Sequence, residues 1–244
     1  MITPQARGLR HVSCAVLVLL LAASACVVAA CGGGGGAGDS TAAPTNLQSA
    51  QAPSLPIYVA GSTLKATDSS GNTWTATYSS TAAGTSTFNQ QPAYATAISF
   101  AVSKGTAVVD SESATEFALM NPYSPLGLAE TFSSLPGRLS VGSITSYDPL
   151  PSTLTAGESG PLSSGTFGSC CPFTETYSVT VNGPTALFLN IYLSFPDFGL
   201  EHGEASFTGL LSGTSTITYA ITASGSASLV KIQVTINGTT LTFQ

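Results

Sequence analysis

From residue 57 onward, large apolar residues recur at every second position in short runs that end at turn dipeptides. Trp74, Ala76 and Tyr78 alternate with Thr73, Thr75 and Thr77, and Ile98, Phe100 and Val102 alternate with small residues. Tyr177, Val179 and Val181 alternate with Thr176, Ser178 and Thr180. Period-two patterning with β-branched and aromatic residues predicts strands with one face on a core. Lys104-Gly105, Asn182-Gly183, Ser224-Gly225 and Asn237-Gly238 punctuate the runs. Asn-Gly is the strongest of these hairpin signals because both residues tolerate positive φ. Further strands are expected at 186–195, 217–222, 229–236 and 240–243. Residues 113–120 have a helical option, which Pro122 and Pro125 limit. The expected fold class is all-β, antiparallel and sandwich-like, with one or two small β domains.

Residues 186–193 (ALFLNIYL) are apolar on both faces. Such a strand is central in a sandwich or covered on each side. A membrane-spanning barrel strand is the sharper alternative. It is disfavoured because neighbouring strands carry Thr and Ser, not an apolar band, on their second face. The Pro- and Gly-rich stretch 121–153 predicts a crossover between an N-terminal β module at 56–120 and a C-terminal one at 154–244. One sandwich with a long crossover is the equal alternative.

The N-terminal 30 residues follow a different pattern. Arg7 and Arg10 precede a run without formal charge from Val12 to Ala30, with Val16–Leu21 at its apolar centre. A run of this length can span a bilayer, so a retained anchor competes with a cleaved signal peptide. Val28-Ala29-Ala30-Cys31 decides for cleavage, since small residues before the cut are what a signal peptidase accepts. This tetrapeptide, with Gly32 to Gly36 behind it, resembles the lipobox of bacterial lipoprotein precursors. The resemblance implies cleavage between Ala30 and Cys31, diacylglycerol on the Cys31 sulfur, and usually an acylated new amine. Several acyl chains on one residue anchor stably where one would not. Cys26, after Ala23-Ser24-Ala25, is the weaker candidate, lacking an aliphatic residue three positions earlier.

Residues 31–55 then read as the lipidated N-terminus and a flexible tether of Gly, Ala, Ser, Thr, Pro and Gln. A flexible chain of about 25 residues spans roughly 25–30 Å. The segments 71–78 (GNTWTATY), 121–127 (NPYSPLG) and 149–154 (PLPSTL) are similar to stretches of uncharacterised β-rich proteobacterial lipoproteins. That resemblance implies no activity.

Charge narrows the partners. Charged residues make up 7% of the chain. Removal of residues 1–30 leaves Lys65, Lys104, Arg138 and Lys231 against all 12 acids, a net charge of −8. Neither nucleic acid nor an anionic lipid surface suits such a body, because both need clustered Lys and Arg.

Candidate chemistry is sparse. His202 is the one histidine after the cleavage site, and no Gly-x-Ser-x-Gly elbow accompanies it. Glu201, His202 and Glu204, with Asp197, form the densest set of potential metal ligands, but a solvated acidic loop explains them better than zinc or calcium. Asp110, Glu112, Glu116, Glu130, Asp148, Glu158 and Glu175 supply carboxylates that the sequence does not pair. Cys170-Cys171 offers either a strained disulfide between neighbours or a structural clamp or two reduced thiols beside Pro172. No catalytic residue, metal site or cofactor is assigned.

The expectation is therefore a non-enzymatic binding or structural lipoprotein of the cell envelope, held to the membrane through the lipid on Cys31. Its protein or small-molecule partner is unknown. Outer-membrane sorting is the default because Gly32, not Asp, follows the cysteine. A carrier or chaperone for apolar ligands or lipoproteins is the alternative, and an envelope hydrolase a distant third.

Overall fold

A computed structural model describes residues 46–68, 70–132, 139–167, 171–198, 211–236 and 239–244. Its strands are β1 Ser49–Gln51, β2 Val59–Thr67, β3 Thr73–Phe88, β4 Gln91–Lys104, β5 Ala107–Met120, β6 Tyr123–Phe132, β7 Leu139–Tyr147, β8 Thr153–Thr155, β9 Ser159–Phe167, β10 Cys171–Val181, β11 Ala186–Phe198, β12 Leu211–Thr222, β13 Ala227–Ile236 and β14 Thr239–Phe243. Twelve of them, β2 to β7 and β9 to β14, form one antiparallel sheet in which each pairs with its chain neighbours. The two outer strands meet at a reciprocal pair, Lys65 N–H to Gln244 O at 3.1 Å and Gln244 N–H to Lys65 O at 2.9 Å. The result is a nearly closed barrel.

Alternation decides what lines it. Trp74, Ala76 and Tyr78 face inward at 1–3% exposure, as do Ile98, Phe100 and Val102 at 1–4%, while the intervening Thr73, Thr75, Thr77, Ser99 and Ser103 face outward. Apolar-in and hydroxyl-out is the reverse of a membrane-spanning barrel. Twelve strands would enclose more space than side chains fill if the section were round. Here opposite walls touch: the buried hydroxyls of Tyr78 on β3 and Tyr219 on β12 hydrogen bond to each other. Leu187, Leu189, Ile191, Ile217, Ile221 and Phe243 join the same core. The barrel is thus flattened until it packs like a sandwich, which is how the expected class is realised.

Three glycines let aromatic rings lie close to the sheet. Gly165 stands opposite Phe173, Gly142 opposite Phe167, and Gly160 opposite Tyr177. A Cβ at Gly165 would lie 2.6 Å from the Phe173 ring, and one at Gly142 would lie 2.8 Å from Phe167. In a strand, glycine of this kind marks close approach rather than a turn.

Several expectations change. The stretch 121–153 is not an open crossover, because it carries β6, β7 and β8 within a fold that has a single core. Residues 113–120 are strand, since β4 and β6 on either side supply ladder partners that outweigh local helical preference. On β11, Leu187, Leu189, Ile191 and Leu193 point inward, while the other face is covered at Asn190 and exposed at Tyr192, which is 39% exposed.

Residues 46–55, expected as tether, belong to the folded body. Leu47 N–H bonds Gly183 O, and Gln51 N–H bonds Ala223 O, so this segment crosses the barrel end where those turns lie. β1 pairs with β8 there, burying Ala50 and Leu154. A few apolar residues suffice because they cap a core built by others. Residues 31–45 lie outside the described residues.

Candidate functional site

The capped end contains the most unusual chemistry of the fold. β5 alternates inward at Ala114, Glu116 and Ala118, so its pattern delivers a carboxyl to the interior. β10 does the same between Phe173 and Tyr177, placing Glu175 inside, and β6 buries Glu130. Exposures are 5% for Glu116, 2% for Glu175 and 0% for Glu130. Burying a carboxylate is costly unless it is neutralised or paired.

Glu116 and Glu175 line one cavity of about 20 Å³, enough for a water-sized group. Its polar floor is Glu116, Ser163 and Glu175, and its walls are Pro125, Leu162 and Ile191. Leu55 from the capping segment and Leu150 from the β7–β8 connection also line it. Tyr123 and Tyr147 also line it, with ring centroids 5.7 Å apart and planes at 80°.

The Tyr123 hydroxyl donates to Glu116 Oε1 at 3.2 Å, and Ser163 Oγ donates to Glu175 Oε2. Glu116 Oε2 is buried with no hydrogen-bond partner. Burial pushes the Glu175 carboxyl up to about 8, against a weaker lowering by the Ser163 bond. Burial also raises Glu116 well above the usual range, and the nearby Glu175 charge adds to it. Glu175 is therefore held largely protonated at neutral pH, and burial favours the neutral form of Glu116 in the same way. Tyr219 is raised for the same primary reason, with Tyr78, Glu116 and Glu175 adding to it.

The other carboxylates do local structural jobs. Glu158 accepts the Thr155 N–H at 3.0 Å and the Tyr177 hydroxyl at 3.2 Å, fixing the connection into β9. Asp68 accepts from the Ser70 and Asn72 N–H groups and from Trp74 Nε1, and meets Lys104 Nζ at 3.9 Å. Those hydrogen bonds, Trp74 foremost, hold its carboxyl below the usual range. The side chains of Asp110, Glu112, Cys171 and Asp197 lie outside the described residues, as do Cys31, Cys170, Glu201, His202 and Glu204. The structure therefore does not bear on the adjacent-cysteine bond or on the acidic loop. No group of three or more His, Cys, Asp or Glu suited to a metal occurs among the described residues.

The fold and site define a class: a capped, flattened antiparallel barrel with a carboxyl-floored cavity beneath its cap. The chain matches no protein-family model, no curated protein and no solved structure, so the chemistry is read from its own residues.

Proposed function

We propose that this chain is a lipid-anchored protein of the bacterial cell envelope that binds a partner and does not catalyse a reaction. The observation that carries the anchor is the run Val28-Ala29-Ala30-Cys31, with its apolar stretch before and its glycines after. Cleavage before Cys31 leaves a short Gly-, Ala- and Thr-rich linker before the first described residue, Asn46. The lipid attaches to the segment that caps the barrel, and the capped end is the one nearest the membrane. Gly32 supports outer-membrane sorting. A hydroxyl-rich outer face with little charge suits a body beside a membrane that it does not enter.

Binding is supported by the cavity. It has convergent polar groups, apolar walls and room for one small group, but no space for a substrate together with an attacking water. A carrier for large apolar ligands would need an unfilled apolar interior, and Phe100, Phe173, Tyr219 and Phe243 fill this one. Metabolic labelling with palmitate tests the anchor. The wild-type chain is expected to take up label and migrate as the cut form, whereas Cys31→Ser takes up none and accumulates as precursor. Labelling of the Cys31→Ser chain overturns the proposal.

A further inference from the structure

The cavity beneath the cap has a polar inventory that does not balance internally. Glu116 gives one oxygen to the Tyr123 hydroxyl and keeps Oε2 buried without a partner. Glu175 faces the same space with one oxygen on Ser163. Among the described residues no basic side chain lines the cavity, and Lys104 is engaged with Asp68 and the Trp74 ring at the far end of β4. The phenols near the two acids are Tyr123 from β6 and Tyr147 from β7, which line the cavity, and Tyr219 from β12, which interacts with both. What the site lacks is a donor for Glu116 Oε2.

We propose that this cavity binds the head of a small primary alkylammonium ion. Its N–H groups bond Glu116 Oε2 and Glu175. A primary ammonium carries three donors on a compact head, which suits a floor of carboxyl oxygens within about 20 Å³. The tyrosine rings add a cation–π surface of the kind that recognises ammonium groups. Leu55 brings the capping segment into the lining of the cavity.

Proton balance follows. Burial favours the neutral form of both carboxyls, so each ammonium bound in place of a carboxyl proton releases that proton to water. Binding therefore tightens about tenfold per unit of rising pH while the displaced group is protonated in the empty protein. This inference deepens the binding reading above and is independent of the lipid anchor.

The test uses the purified full-length protein in thermal melts at pH 6, 7 and 8, with sodium, methylammonium or tetramethylammonium chloride at equal ionic strength. Methylammonium is expected to raise the Tm over sodium, more at pH 8 than at pH 6. Tetramethylammonium, which has no N–H donor, is expected to match sodium. The Glu116→Gln/Glu175→Gln double variant is expected to lose the methylammonium shift. Should that variant not fold, titration calorimetry of the wild type in two buffers of different ionisation enthalpy measures proton release directly. Equal Tm values in all three salts, a shift by tetramethylammonium as large as that by methylammonium, or binding without proton release overturns the proposal. None of these outcomes alters palmitate labelling at Cys31, so a failure of the ligand and a failure of the anchor are told apart.

Discussion

Replacing Glu175 with Gln removes the charge that the barrel interior resists while keeping an oxygen to accept from Ser163 Oγ. The folded-state carboxyl is raised from its ordinary 4.5 to about 8 by burial. An acid raised in this way binds more protons in the folded than in the unfolded chain across that window. Stability therefore falls as pH rises from 4.5 to 8 and levels off above. At about 1.4 kcal/mol per pH unit the full window amounts to roughly 5 kcal/mol, an upper figure for a group that the protein can relax around.

Glu116 acts in the same direction. Asp68 acts in the opposite direction, but its contribution is lost as pH falls below its ordinary 3.8 and so lies outside the window. Tyr177 and Tyr219 are raised from 10 and titrate above it. Urea denaturation followed by circular dichroism at pH 5, 6, 7 and 8 is the assay. The wild type is expected to lose several kcal/mol across the series, and Glu175→Gln to lose clearly less and to be the more stable protein at pH 8. A variant with the wild-type slope, or a wild type whose stability rises from pH 5 to 8, would refute the reasoning.

Two further substitutions test the fold. Gly165→Ala drives a Cβ into the Ser143 backbone carbonyl and to within 2.6 Å of the Phe173 ring and is expected to cost at least about 1–3 kcal/mol by overpacking. The same change at Gly157, where nothing lies within 4 Å, strains only a positive-φ backbone, and equal costs at the two sites would contradict the ring-on-glycine account. Leu154→Ala empties the cap at a position with 0% exposure and is expected to cost about 2–5 kcal/mol in denaturant melts. Amide exchange is expected to rise first in residues 46–58 of that variant. A cost below 0.5 kcal/mol would show that the β1–β8 cap does not contribute to the core in solution.

Much of the barrel was legible because strand periodicity survives in a chain with few charges. Trp74 to Tyr78, Ile98 to Val102 and Tyr177 to Val179 all turn inward as their alternation implies. Gly105, Gly183 and Gly225 sit at positive φ in the expected turns. The Asn89-Gln90 turn was not legible, since both residues take positive φ where Gln gives no turn signal. Strand connectivity was legible only in part. Pro122 and Pro125 suggested a break, yet one stands in the β5–β6 turn and the other beside a register shift, where a missing N–H costs little. Gly142, Gly160 and Gly165 read as loop punctuation because their purpose, a facing ring, comes from another strand.

The cavity was hidden for a related reason. Glu116 sits at an inward position of its own strand, a conflict with alternation that was the one available signal. Its association with Glu175 arises only when β5 and β10, separated by three strands in the sheet, face each other across the flattened interior. The cap was missed because Leu47, Ala50 and Leu55 are too few to predict burial without the barrel end they cover.

The most direct test of the envelope assignment is intact and peptide mass spectrometry of the protein extracted from native membranes. The expected chain begins at Cys31, is heavier than its sequence by a diacylglyceryl group and usually a further acyl chain, and lacks residues 1–30. A membrane-extracted chain that retains residues 1–30, or one that begins at Cys31 or elsewhere without added lipid, would contradict it.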